Sequence, residues 1–72
     1  MYNVDLAMGN GMEMVVTRVE HISFYSKWAA RQYARKVIKC IDIYHVTITD
    51  METGEIILEL NNEGSIEWDS EG

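Results

Sequence analysis

The sequence predicts a two-layer α+β fold, with a single helix packed across an antiparallel sheet of three to four strands in the order β-α-β-β-β. Three observations lead there. Residues 24–40 hold no Gly or Pro and repeat their apolar side chains at helical spacing. The segments on either side, "EMVVTRVEHI" and "IDIYHVTIT", are rich in β-branched residues. Two polar, glycine-containing stretches, "DMETGE" and "NNEG", then cut the C-terminal third into short apolar runs, as turns between paired strands do.

Taken in order, residues 1–12 contain "MGNGM", whose glycines and Asn tolerate positive φ, and read as a loose N-terminal arm. Met12 or Met14 then marks the start of a single folded domain over residues 13–69. Residues 13–22 form the first strand. Ser23 offers a hydroxyl to cap a helix starting near Phe24. On that helix Ala29, Ala30, Tyr33, Ala34, Val37, Cys40 and Ile41 share one side and face the sheet. Residues 41–49 form the next strand, with Tyr44, Val46 and Ile48 facing one way. After the turn at 50–55, residues 55–60 return with Ile56, Leu58 and Leu60 on one face. Residues 65–69 add a last short strand that places Ile66 and Trp68 together, and residues 70–72 form a tail. The far side of the sheet then carries Thr47, Glu59 and Glu67 toward water. Ile43 and Ile57 have the same parity, and an exposed isoleucine pair there suits a homodimer.

With 72 residues the core is thin, and one cysteine cannot make an internal disulfide. A free thiol suits a reducing compartment, so a cytoplasmic location is expected. No apolar run approaches the ~20 residues that a membrane-spanning helix needs, and "MYNVDLAMGNGMEM" lacks the basic and apolar regions of a secretory signal. The net charge of −6 is unevenly divided: residues 1–40 carry +3 and residues 41–72 carry −9. Such asymmetry points to a charged partner.

Five of the six Lys and Arg lie in "SKWAARQYARKVIK", residues 26–39. Lys27, Arg31, Arg35 and Lys39 recur every fourth residue and form one stripe opposite the Ala/Tyr/Val face, with Phe24 and Trp28 on the same polar side. A charged helix face is ordinarily a solvated one, and Glu20, Glu59 or Glu67 could neutralise this stripe across the sheet edge. As a site, Phe24, Lys27, Trp28, Arg31, Arg35 and Lys39 make a contact ridge of the residue types enriched in binding hot spots. The second candidate surface is acidic. Glu52, Glu55, Glu59, Glu63, Glu67, Asp69 and Glu71 recur along the last strands and their turns, with Glu55, Glu59 and Glu67 as the contact residues, and spaced carboxylates can imitate a phosphate backbone in a basic groove of another protein. Direct nucleic-acid binding through the basic helix is the lesser alternative, because the rest of the surface repels a polyanion.

Catalytic motifs are missing. There is no nucleophile elbow, phosphate-cradling glycine loop or Cys-x-x-Cys, so no enzyme and no cofactor are expected. His21, His45 and Cys40 would make a metal site only if the strands carrying the two histidines were neighbours, and packing roles are the commoner use of such residues, so no metal is expected. Small size, acidity, a single β-α-β-β domain and the lack of catalytic motifs resemble the anti-defence proteins of phages and mobile elements, of the anti-CRISPR or anti-restriction inhibitor type. That resemblance implies a non-enzymatic, stoichiometric inhibitor of a bacterial nucleic-acid-handling protein or complex. It transfers no functional residue and does not choose between the acidic and basic surfaces.

Overall fold

The computed structural model describes residues 1–10 and 15–71. Six elements follow one another: β1 (Tyr2–Asn10), β2 (Val15–Phe24), α1 (Lys27–Val37), β3 (Ile43–Asp50), β4 (Ile56–Asn61) and β5 (Ile66–Asp69). The five strands make one antiparallel sheet in the order β2-β1-β3-β4-β5, with the helix packed on one face. The α+β class is as expected, but the sheet has five strands and opens with a hairpin. Met12 and Met14, read as the start of the folded part, lie outside the described residues.

The added strand is the segment read as a loose arm. Tyr2, Val4, Leu6 and Met8 alternate with Asn3, Asp5, Ala7 and Gly9, the period-2 pattern of a half-buried strand. β1 pairs with β2 on one side and β3 on the other. Since both neighbours run antiparallel to β1, β2 and β3 run parallel to each other. α1 is the crossover between them and passes over β1.

Cross-strand register builds the core. Ile22, Val4, Ile48 and Leu58 stand opposite one another across four strands, and Leu6, Val46 and Leu60 form the next row. Ala30, Ala34 and Ile38 close this layer from the helix, their small side chains at 30 and 34 allowing close approach. Ile43 and Ile57 are buried in the same core, so they are not an exposed pair on the far face. The cause is a register shift near each: Met8 pairs with Ile43, skipping Tyr44, and Ile57 is the extra residue between the Thr49–Ile56 and Ile48–Leu58 pairs. A period-2 reading from either side of a bulge assigns the wrong face.

The helix is shorter than its sequence pattern. Tyr2 opposite Phe24 extends β2 past Ser23, and the cap falls on Ser26, whose Oγ accepts from the Ala29 N–H at 3.2 Å. At the other end α1 stops at Val37. Ile38 turns inward, leaving Cys40 and Ile41 exposed in the connection to β3. Both later turns have the expected chemistry. Asp50 Oδ1 accepts from Glu52 N–H at 2.9 Å before Gly54 at φ 75°, and Asn61 Oδ1 accepts from Glu63 and Ser65 N–H before Gly64 at φ 81°. Ile66 and Trp68 do not lie together: Ile66 stands opposite Leu60 and Trp68 opposite Glu59, on opposite faces, with Glu67 bulged between.

Gly9 sits at the bulge between β1 and β2, where a Cβ would meet the Val15 carbonyl oxygen and stand 2.9 Å from the Tyr44 ring. Gly9→Ala should therefore destabilise by about 1–3 kcal/mol, the usual cost of overpacking, read as a lower urea midpoint with unchanged slope.

Candidate functional site

The basic helix stripe divides in two. Arg31 is only 5 % exposed, although it was expected on an outer ridge. Its guanidinium donates from Nη1 to Asp69 Oδ1 at 3.0 Å and from Nη2 to Asp69 Oδ2 at 2.7 Å, a two-pronged carboxylate clamp. One helical turn earlier, Lys27 Nζ stands 2.7 Å from Glu71 Oε1. Glu71 Oε2 is also 3.8 Å from Arg31 Nε. Asp69 and Glu71, not Glu20, Glu59 or Glu67, therefore neutralise this part of the stripe. The Arg31 hydrogen bonds, with help from the Glu71 N–H, hold the Asp69 carboxyl down to about 2. The Lys27 hydrogen bond likewise holds Glu71 below its ordinary value and raises Lys27. These four side chains fasten β5 and the chain after it to α1. Their role is structural.

Phe24 also leaves the ridge. It packs against the core and meets the Tyr33 ring at a centroid distance of 5.2 Å. What remains outward is Trp28, 65 % exposed, with Arg35 and Lys36 on the helix and Lys39 just after it. Among the described residues these three cations make no ion pair. Lys39 lines an open concavity of about 470 Å³ between the end of the helix and the β4–β5 turn, with Cys40 and Tyr44.

The open face of the sheet holds the more concentrated arrangement. Register sets His21, Asp5, Thr47, Glu59 and Trp68 in one row across all five strands. Asp5 is held by His21 Nδ1 and by Asn3 Nδ2, which donates at 2.6 Å. His45 lies with Nδ1 3.2 Å from Thr47 Oγ1 and Nε2 3.4 Å from Glu67 Oε2. Ligand atoms of His45, Glu59 and Glu67 all fall within 4.8 Å of one another. The two histidines are not on adjacent strands, because β1 lies between β2 and β3, and Cys40 is beyond the helix end. The His21/His45/Cys40 grouping therefore does not form. Glu55 sits in the turn before β4, outside the Glu59/Glu67 group.

Trp68 completes this face. Its indole Nε1–H donates to the Ile56 carbonyl at 2.9 Å, which fixes the ring while leaving 52 % of the residue exposed. No Lys or Arg is carried by β1, β3, β4 or β5. The open face thus presents carboxylates and a fixed aromatic ring beside His21 and His45. Trp68 and His45 were not among the residues expected to form a contact surface. The signal for His45 was present in the parity argument that selected Glu59, since it is two residues from Thr47, whereas parity set Trp68 opposite to Glu67 and only the bulge at Glu67 brings it to this face.

Comparisons with protein-family models, curated proteins and solved structures return no match. Among the described residues no helix is long and apolar enough to cross a membrane.

Proposed function

We propose that this protein is a non-enzymatic inhibitor that binds a bacterial nucleic-acid-handling protein, or its complex with nucleic acid, through the open face of its sheet. The observation that carries this reading is the grouping of Glu59 and Glu67 beside a hydrogen-bonded, half-exposed Trp68 on strands without a Lys or Arg. Two carboxylates on rigid strands match the charge a basic groove is built to receive, and electrostatic complementarity speeds encounter and selects the partner. A fixed tryptophan loses little freedom on docking and supplies the apolar area typical of hot spots. The basic helix is the weaker surface, because Lys27 and Arg31 are already engaged by Glu71 and Asp69. An exposed free thiol at Cys40 accords with action in a reducing cytoplasm.

The test is capture from bacterial lysate with the purified protein, followed by titration of the captured protein. Wild type should retain a basic nucleic-acid-handling protein that salt releases. Trp68→Ala combined with Glu59→Gln and Glu67→Gln should weaken its binding by about 2 kcal/mol or more. Trp28→Ala with Arg35→Ala should leave both binding and melting temperature nearly unchanged. If instead generic DNA or RNA binds the wild type at low salt, with a steep salt slope that Arg35→Ala and Lys39→Ala flatten, the basic helix is the site and this reading falls.

A further inference from the structure

The sheet has two edges, and they differ. β5 is four residues long, bulged and flanked by carboxylates, all features that discourage pairing. β2 is ten residues long, contains no Pro or Lys, and among the described residues nothing pairs with its outer side. Its outer half is uncovered on both faces. Val15, Val16 and Val19 are 55 %, 49 % and 49 % exposed, because the short helix covers only the Ile22–Phe24 end. A long valine-bearing edge with unpaired backbone groups is a template for another strand.

We propose that the occupant is the β2 strand of a second copy, paired antiparallel about Val19 to give a ten-stranded sheet with two-fold symmetry. The charges of the strand select both partner and register. In antiparallel pairing, directly opposed side chains share a face, so a symmetric pairing must centre on a residue. Near the middle of the strand the choices are Arg18, Val19 and Glu20. Centring on Arg18 sets Arg opposite Arg, and centring on Glu20 sets Glu opposite Glu. Centring on Val19 sets Arg18 opposite Glu20 of the second copy, twice, with Val19 on Val19. Arg18 and Glu20 already share a face within one strand, 3.6 Å apart, so the two copies together form a four-charge cluster of alternating sign on the axis. The bulge at Thr17 lies outside this central triplet. The two-fold stands normal to the sheet and places both helices on one side, so both open faces remain free.

Light scattering on the eluting protein over a concentration series tests this, since one chain is 8.3 kDa. Wild type should approach twice that mass. Arg18→Glu opposes four carboxylates at the axis and Glu20→Arg opposes four guanidiniums, and each should weaken dimerisation by about tenfold or more. Both residues are exposed, and circular dichroism confirms that each variant folds. Mixing the two single variants restores every Arg–Glu pair, so a heterodimer should form where neither variant dimerises alone. The double swap, Arg18→Glu with Glu20→Arg, should dimerise as wild type does. A wild type that stays at the monomer mass into the millimolar range overturns the proposal. So does a dimer that the single variants leave intact, or a mixture that gains no mass.

Discussion

Arg31→Met is expected to remove about 3–5 kcal/mol of stability, because it strands the Asp69 carboxylate against the helix without its partner. Arg31 and Asp69 side chains are 7 % and 10 % exposed, so neither is well hydrated in the folded state. A domain of this size has roughly 4–11 kcal/mol in all, and the melting temperature should fall by about 15 °C or more. Replacing both members, Arg31→Met with Asp69→Leu, removes the stranded charge and should recover much of the loss, which a double-mutant cycle would show as strong coupling. Acid should act in the same direction. The folded carboxyl of Asp69 lies at about 2, below its ordinary 3.8, so the unfolded chain takes up the proton first. This contribution is complete above about pH 4 and is lost as pH falls toward 2. The stability gap between wild type and Arg31→Met, measured by urea unfolding, should therefore narrow between pH 4 and pH 2. A gap that stays constant would mean that the pair is not what holds β5.

Why Arg31 reads as a surface residue from the sequence is a matter of distance along the chain. On a helical wheel it continues the Lys27–Arg35–Lys39 stripe, and nothing local sets it apart. Its partner lies 38 residues away on β5, so the pairing exists only once the sheet has formed. The meander of β3, β4 and β5 was legible for the opposite reason. Asp50, Gly54, Asn61 and Gly64 act within a few residues of themselves, and their turns come out as read. Bulges account for the misplaced side chains at Ile43, Ile57 and Trp68: Ile57 is itself skipped in the ladder, and Ile43 and Trp68 each stand beside a skipped residue. Of the acidic candidates, Glu59 and Glu67 share a surface because they lie on adjacent paired strands. Glu55, chosen by charge spacing alone, does not join them. Trp28 remains outward as read, but as a lone ring rather than one of a pair, since strand pairing with Tyr2 draws Phe24 inward.

The N-terminal segment gives the sharpest contrast between the two views of this chain, and removing it should have the largest effect of all. A truncation beginning at Asn10 is expected to lose cooperative folding altogether. β1 supplies Val4 and Leu6, both buried, to the middle of the core rows. Among the described residues it is also the only strand that pairs with β2, and it separates β2 from β3. Without it the apolar side chains of Ile22 and Ile48 lose the neighbour between them, β2 has no ladder, and the helix crosses over an empty strip. A domain with so thin a core cannot absorb this. Full-length variants grade the same effect. Leu6→Ala should cost about 2–5 kcal/mol, as buried leucine truncations do. Ala7→Ser, on the open face of the same strand, should stay within about 0.5 kcal/mol. The pattern follows from alternation along one strand: neighbours in sequence face opposite sides, so the penalty must switch off between residues 6 and 7. A loose arm would show no such switch, and the truncated protein would then melt in one sharp transition close to the full chain's temperature.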